Sequence, residues 1–137
     1  MTANSTTHGP QLLEERSITG IAVHPIALLT GIFGAGLIYL VSRNDFTRAN
    51  ARNALNWHLG LTTLMLVAVP TFFLGATEGL VSEPLGTTLG LVGAVLIVIL
   101  MIAMAVTFVA SLLATGKAIF GSAWEYPVVP DIVDYLG

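Results

Sequence analysis

The stretch SRNDFTRANARN, residues 42–53, is the most informative part of the sequence because it concentrates charge between two long apolar runs. From residue 18 to residue 115 only six positions carry a formal charge, and four of them lie in this stretch. A helix rises about 1.5 Å per residue, so about 20 apolar residues cross the roughly 30 Å hydrocarbon core of a bilayer. Three segments of the chain reach that length. The pattern predicts a membrane protein with a cationic cytoplasmic hairpin after its first span.

The predicted fold class is an all-α membrane protein. It is a bundle of three transmembrane helices, with a short cationic amphipathic segment before the second span. The three spans are predicted at about residues 18–41, 54–75 and 89–114. Glycines at positions 31, 34 and 36 make a bent or broken helix plausible in span one. Pro25 also allows the regular helix of that span to begin late.

The chain is interpreted as one domain with two tails. Residues 18–120 form the transmembrane domain, and residues 1–17 form a polar, disordered N-terminal tail. Residues 121–137 contain two prolines among alternating apolar residues, which favours an extended strap at the membrane interface over a fourth span.

Composition agrees with a membrane location. Hydrophobic residues make up 55% of the chain and charged residues 9%, whereas a typical soluble domain has about 25% charged residues. The net charge of −3 argues against nucleic acid as a partner. The chain has no cysteine, so it has no disulfide, thiol nucleophile or cysteine-ligated metal.

The distribution of arginine and lysine predicts the orientation. The first connection carries three arginines and the second carries no cation, so the first connection is predicted to be cytoplasmic. Three crossings of the cell membrane then place the C-terminus in the cytoplasm and the N-terminus outside. Tyr39, Trp57, Trp124 and Tyr126 fall near the predicted cytoplasmic ends, where amphipathic rings settle.

Polar residues near membrane depth are the candidate functional side chains. His24, Asn53, Asn56 and His58 are candidates for polar packing or for a polar vestibule. The spacing of Arg48, Arg52 and Asn56 at i, i+4 and i+8 places two cations and an amide on one helical face. This stripe either docks a partner or is structural, with arginines that snorkel to headgroups and an asparagine that bonds a neighbouring helix.

A cationic cytoplasmic rim is also predicted, facing anionic headgroups or an acidic partner. Its candidate residues are Arg43, Arg48, Arg52 and Lys117. The predicted partners are therefore membrane lipids and either a second copy of the chain or another protein of a membrane complex. Small residues recur four apart in spans one and three, which suits helix packing within one chain or between copies.

Neither a metal site nor a catalytic site is predicted. His24 and His58 fall in opposite halves of the bilayer in the three-span topology, and no Asp, Glu or Cys lies at ligand spacing to either. The sequence lacks a His-Glu-x-x-His pair, a Gly-x-Ser-x-Gly turn and any acidic residue within a predicted span. No cofactor and no enzymatic activity are therefore expected.

Motifs at both ends of the predicted bundle resemble one family. They are HPIALL at residues 24–29, YLVSRND at 39–45, RNALNWH at 52–58, and Lys117 and Ala118 with Gly121, Trp124, Tyr126 and Pro127. Over about residues 18–127 the chain resembles an uncharacterised family of small prokaryotic three-span membrane proteins. That family is related to the twenty-kilodalton Tic-type subunit of the chloroplast inner-envelope protein translocon.

The resemblance implies a function by analogy. It implies a non-enzymatic integral membrane protein that is a small structural or accessory component of a membrane complex, in protein translocation. The alternative from the residues themselves is a homo-oligomeric channel or small-solute transporter. The absence of charges within the predicted spans weakens ion-coupled transport.

Overall fold

A computed structural model describes residues 16–136, and every regular element among them is a helix. Most of the predicted N-terminal tail, residues 1–15, lies outside the described residues. The five helices are α1 (Ile18–Thr30), α2 (Ile32–Val41), α3 (Asp45–Ala76), α4 (Glu83–Ile119) and α5 (Ile132–Leu136).

The predicted first span is divided into α1 and α2 at Gly31. Ser17 begins α1, because its side chain accepts a hydrogen bond from the amide of Gly20 at 2.9 Å. Pro25 lies inside α1, so the helix does not begin late. Gly31 adopts φ 62° and ψ −136°, a conformation open mainly to glycine, and it ends the helix. The 13 residues of α1 and the 10 of α2 reach only about 20 Å and 15 Å, less than the roughly 30 Å of a bilayer core.

Helix α1 runs parallel to the start of α3. The side chain of Ser17 hydrogen bonds to that of Thr47, and His24 bonds to Asn50 further along both helices. Beyond them, α1, α2 and α3 meet in an apolar cluster of Ala27, Ala35, Ala54 and Leu55.

Helix α2 runs back in the opposite direction. Its Ala35 belongs to the apolar cluster, while Tyr39 lies against Arg48, nearer the start of α3. Thus α1 and α2 form a helical hairpin, and both of its open ends lie at the N-terminal end of α3. We call this end of the bundle the polar end.

Two predictions about topology are corrected by this hairpin. The broken helix that the glycines of span one made plausible is confirmed at Gly31, but three spans are not confirmed; two described helices, α3 and α4, are long and apolar enough to cross a membrane. The start of α1 lies at the same end of the bundle as residues 42–44, not at the opposite end. The physical reason is the single reversal at Gly31, which hydropathy does not detect.

Helices α3 and α4 form the long axis of the fold. Asn44 begins α3 by accepting a hydrogen bond from the Thr47 amide at 2.9 Å, so the cationic segment and the second span are one helix of 32 residues. Only 6% and 11% of the most apolar windows of α3 and α4 are buried. Such exposure is not that of a soluble core helix, and it suits a surface that faces lipid.

Far from the polar end, α3 and α4 approach closely through glycines. A Cβ atom built on Gly93 would overlap the backbone of Phe72, and one built on Gly75 would overlap the backbone of Gly90. Helices of membrane proteins use small residues in this way, because close backbone approach maximises van der Waals contact.

Candidate functional site

The polar end is closed by a strap, residues 121–131, which leaves α4 and folds back across α3. Tyr126 of the strap is buried and stacks on Trp57 of α3, with ring centroids 5.2 Å apart. Trp124 also packs against Tyr126, with ring centroids 5.4 Å apart and the planes tilted by 43°. These three rings, which we call the aromatic cluster, unite the two motifs that the sequence analysis placed on separate elements.

His24 connects the aromatic cluster to α1. Its Nδ1 lies 2.9 Å from the Tyr126 hydroxyl, and its Nε2 lies 2.9 Å from Oδ1 of Asn50. Nδ2 of Asn50 donates to the carbonyl of Phe46 at 2.9 Å, which leaves Oδ1 as acceptor. A neutral imidazole with its proton on Nε2 satisfies both contacts, and Tyr126 then donates to Nδ1. Burial raises the pKa of the Tyr126 phenol, so the hydroxyl keeps that proton.

Trp57 connects the same cluster to α4. Its indole Nε1 donates to Oγ1 of Thr107 at 2.9 Å, and this hydroxyl donates in turn to the carbonyl of Ala103 at 2.7 Å. Both side chains are buried. The bond gives the indole N–H the partner that a buried tryptophan needs, and it aligns α3 with α4.

Two asparagines of α3 hold the strap through its backbone and a carboxylate. Asn53 donates to the carbonyl of Trp124 at 3.0 Å. Asn56 donates to Oδ1 of Asp131 at 2.7 Å and accepts from the amide of Val133 at 2.9 Å. The partners of Asn56 thus lie in the strap and in the short helix α5, where a bond to a neighbouring helix was predicted.

The five cations of the chain gather at the polar end, but they differ in their surroundings. Arg52 forms ion pairs with Asp131 at 3.2 Å and Asp134 at 3.3 Å. Arg48 lies over the ring of Tyr39 at 4.7 Å, and Arg16 donates to the carbonyl of Ile119. The remaining two cations, Arg43 and Lys117, are exposed.

The proposed rim therefore divides into two parts. Arg52 fastens the C-terminal segment to α3, while Arg43, Arg48 and Lys117 remain candidates for headgroup or partner contact. Arg16, which the three-span topology placed outside, joins these cations at the polar end.

The two histidines lie at the same end of the molecule. His58 is buried on α3, directly after Trp57. His24 of α1 is buried against Asn50, which lies earlier on α3. Their predicted separation into opposite halves of a bilayer is wrong, because α1 enters from the polar end. Within residues 16–136, no group of three or more His, Cys, Asp or Glu side chains could hold a metal ion.

Asn50, Asp131 and Asp134 are not among the site residues predicted from the sequence. The signal for Asn50 is helical spacing, since Phe46, Asn50 and Trp57 fall at i, i+4 and i+11 on one face of α3. The two aspartates have no comparable local signal, because their partners are more than 70 residues away in the sequence.

Two adjoining cavities lie under the strap. A polar cavity of about 80 Å³ is bordered by Asn53 and Asn56 of α3 and by Glu125 and Asp131 of the strap. An apolar groove of about 570 Å³ lies between α3 and α4 and is bordered by residues 127–130 of the strap, so it includes the motif residue Pro127.

These contacts define a class of protein: an all-helical, membrane-associated protein whose polar end is closed by an aromatic strap. The model of the magnetosome magnetite crystal formation protein family, MamF/MmsF, matches residues 15–133. The chain therefore belongs to this family. No curated protein and no solved structure matches the chain.

The resemblance to Tic-type translocon subunits is wrong, and so is the translocation role that it implied, since the match over residues 15–133 is to a magnetosome family. Of the motifs that carried it, RNALNWH lies on α3, and Gly121, Trp124, Tyr126 and Pro127 lie in the strap. HPIALL lies on α1, YLVSRND runs from α2 to the start of α3, and Lys117 and Ala118 lie near the end of α4. Motifs that pack a strap on a helix describe a fold, and a fold does not specify a function.

Proposed function

We propose that this chain is a non-enzymatic integral protein of the magnetosome membrane and acts in magnetite crystal formation. The observation that carries the proposal is the family match, which spans the hairpin, both long helices and the strap. The exposed apolar surfaces of α3 and α4 support membrane insertion. A second copy or another membrane protein as partner stays a prediction.

The charge distribution supports one orientation. All five Lys and Arg residues lie at the polar end, and residues 77–82 at the far end carry none. Because cations remain on the cytoplasmic side, we place the polar end in the cytoplasm and residues 77–82 in the vesicle lumen. This orientation keeps the predicted cytoplasmic first connection and C-terminus, and it moves residues 16 and 17 to the cytoplasmic side.

The lumenal side then offers carboxylates to the mineral. Glu78 in the connection and Glu83 at the first turn of α4 are exposed, and carboxylate oxygens are ligands that hard metal ions prefer. In this proposal the helices hold these groups at the inner membrane surface, where iron and growing crystal are present.

Single-cysteine labelling tests the orientation without removal of native thiols, because the chain has no cysteine. With a membrane-impermeant maleimide on intact vesicles, Ile18→Cys and Asp45→Cys should react from the same, cytoplasmic side. Glu78→Cys should react only after the membrane is opened. Labelling of Ile18→Cys and Asp45→Cys from opposite sides would restore three crossings.

Deletion of the gene in its native cells tests the function. We expect smaller or fewer magnetite crystals in electron micrographs, and recovery when the wild-type gene returns. The double variant Glu78→Gln/Glu83→Gln should insert normally but restore crystal size incompletely. Its control is Asp45→Asn, which changes one exposed carboxylate at the cytoplasmic end and should restore crystal size fully. Unchanged crystals after deletion would contradict the proposed function.

A further inference from the structure

The apolar groove has the size and chemistry of a ligand site. Its volume of about 570 Å³ falls within the roughly 300–1,000 Å³ of small-molecule pockets. Trp57, Leu61 and Leu64 border it on α3, and Ile102 and Val106 border it on α4. The strap covers one end of the groove, whereas the other end continues along the lipid-facing surface of the helix pair.

The polarity of the two cavities changes along α3. The polar cavity is bordered by α3 residues 53–57, and the groove continues from Trp57 to Leu64. Trp57 and Val129 border both, so the cavities adjoin. Seven residues of helix correspond to about 10 Å along the axis. A polar compartment followed by an elongated apolar one matches the headgroup and acyl chain of a lipid.

The charge of the polar cavity favours a cationic headgroup. Its border contains the carboxylates of Glu125 and Asp131 and no Lys or Arg. Arg52 balances the negative charge of Asp131 through their 3.2 Å ion pair. Glu125 takes part in no ion pair among residues 16–136. The side chains of Trp57 and Tyr126 also border this cavity.

The strap holds an unusual residue at the mouth of the groove. Val128 has φ 76°, the left-handed region that a β-branched residue rarely adopts, and the residue is 99% exposed. Such strain persists where surrounding contacts hold the backbone, and it concentrates at ligand sites. Here the buried Tyr126 and the Asn56–Asp131 bond hold the strap on either side of Val128.

We propose that the two cavities together bind one phospholipid with an amine headgroup, of the phosphatidylethanolamine class. The ammonium group lies at Glu125 in the polar cavity, and one acyl chain lies in the groove between α3 and α4. The proposal rests on the membrane location of the chain and not on its role in magnetite formation, so either can fail without the other.

Native mass spectrometry tests this with the full-length protein in detergent. The protein is mixed with equal amounts of phosphatidylethanolamine and phosphatidylglycerol that carry the same acyl chains. We expect one bound phosphatidylethanolamine per chain, favoured about fivefold over phosphatidylglycerol, as one charge contact allows. Glu125→Gln should remove that preference, and Glu83→Gln, at the far end of the bundle, should keep it.

A second pair of variants tests the groove. Ala103 borders it, so Ala103→Phe should fill the space and reduce lipid binding at least about tenfold. Leu112→Phe places the same side chain on the exposed surface of α4 and should leave binding unchanged. Circular dichroism confirms that each variant is folded. Equal binding of the two lipids, undiminished binding by Ala103→Phe, or a dimer that displaces lipid would each overturn the proposal.

Discussion

Replacing Gly93 with alanine is expected to force α3 and α4 apart and to lower the free energy of unfolding by about 3 kcal/mol. The new Cβ would overlap the backbone of Phe72. Backbone atoms cannot relieve the overlap by a change of rotamer, as a side chain could. Denaturation with dodecyl sulfate, followed by circular dichroism, measures the loss.

Gly116→Ala is the matched control for this prediction. Gly116 lies in the same helix, but a Cβ built on it meets no heavy atom within 4 Å. The control should be neutral or slightly stabilising, because alanine is the better helix former. If Gly93→Ala unfolds at the same detergent concentration as Gly116→Ala, the close approach of α3 and α4 is not a source of stability.

Replacing Tyr126 with alanine is expected to release the strap from α3, at a cost of about 3–5 kcal/mol for a buried aromatic side chain. The variant loses the stack on Trp57, the contact with Trp124 and the hydrogen bond to His24. Limited proteolysis, followed by mass spectrometry, should detect rapid cleavage within residues 121–131 that the wild type resists.

Two controls are needed. One distinguishes the effect of the Tyr126 ring from that of its hydroxyl, and the other tests whether loss of any tyrosine has the same effect. Tyr126→Phe keeps the stack but leaves Nδ1 of His24 without its partner, which should cost about 1–3 kcal/mol. Tyr135→Ala removes a tyrosine of α5 that is 85% exposed, and cleavage within the strap should not change. Cleavage as fast in Tyr135→Ala as in Tyr126→Ala would show that the aromatic cluster does not hold the strap.

Much of the candidate site was visible in the sequence as separate motifs. Asn53, Asn56 and Trp124 with Tyr126 were identified from residue type and position, and the structure brings them together. Local pattern is sufficient to mark such residues, because amides and large amphipathic rings are unusual beside apolar spans. It is not sufficient to pair them, since the ring stack joins residues 57 and 126.

Arg52 illustrates the same limit for charge. Its position beside Arg48 indicated a cation directed at headgroups or a partner. The structure directs it instead at Asp131 and Asp134, which lie beyond a turn of the strap. A count of Lys and Arg in the loops predicts the side of the membrane on which a cation lies. It does not predict which distant carboxylate will form an ion pair with that cation.

The residues alone are sufficient to establish that this protein is helical, apolar enough for a membrane, and cationic at one end. Those properties follow from hydropathy and charge, which add up along the chain whatever its path. The folded chain is needed to show that residues 18–41 double back, that His24 contacts Tyr126, and that the strap covers a groove. The reversal depends on the backbone of Gly31, and the other two depend on contacts between distant residues. None of these three features changes the local average of hydropathy from which membrane spans are predicted.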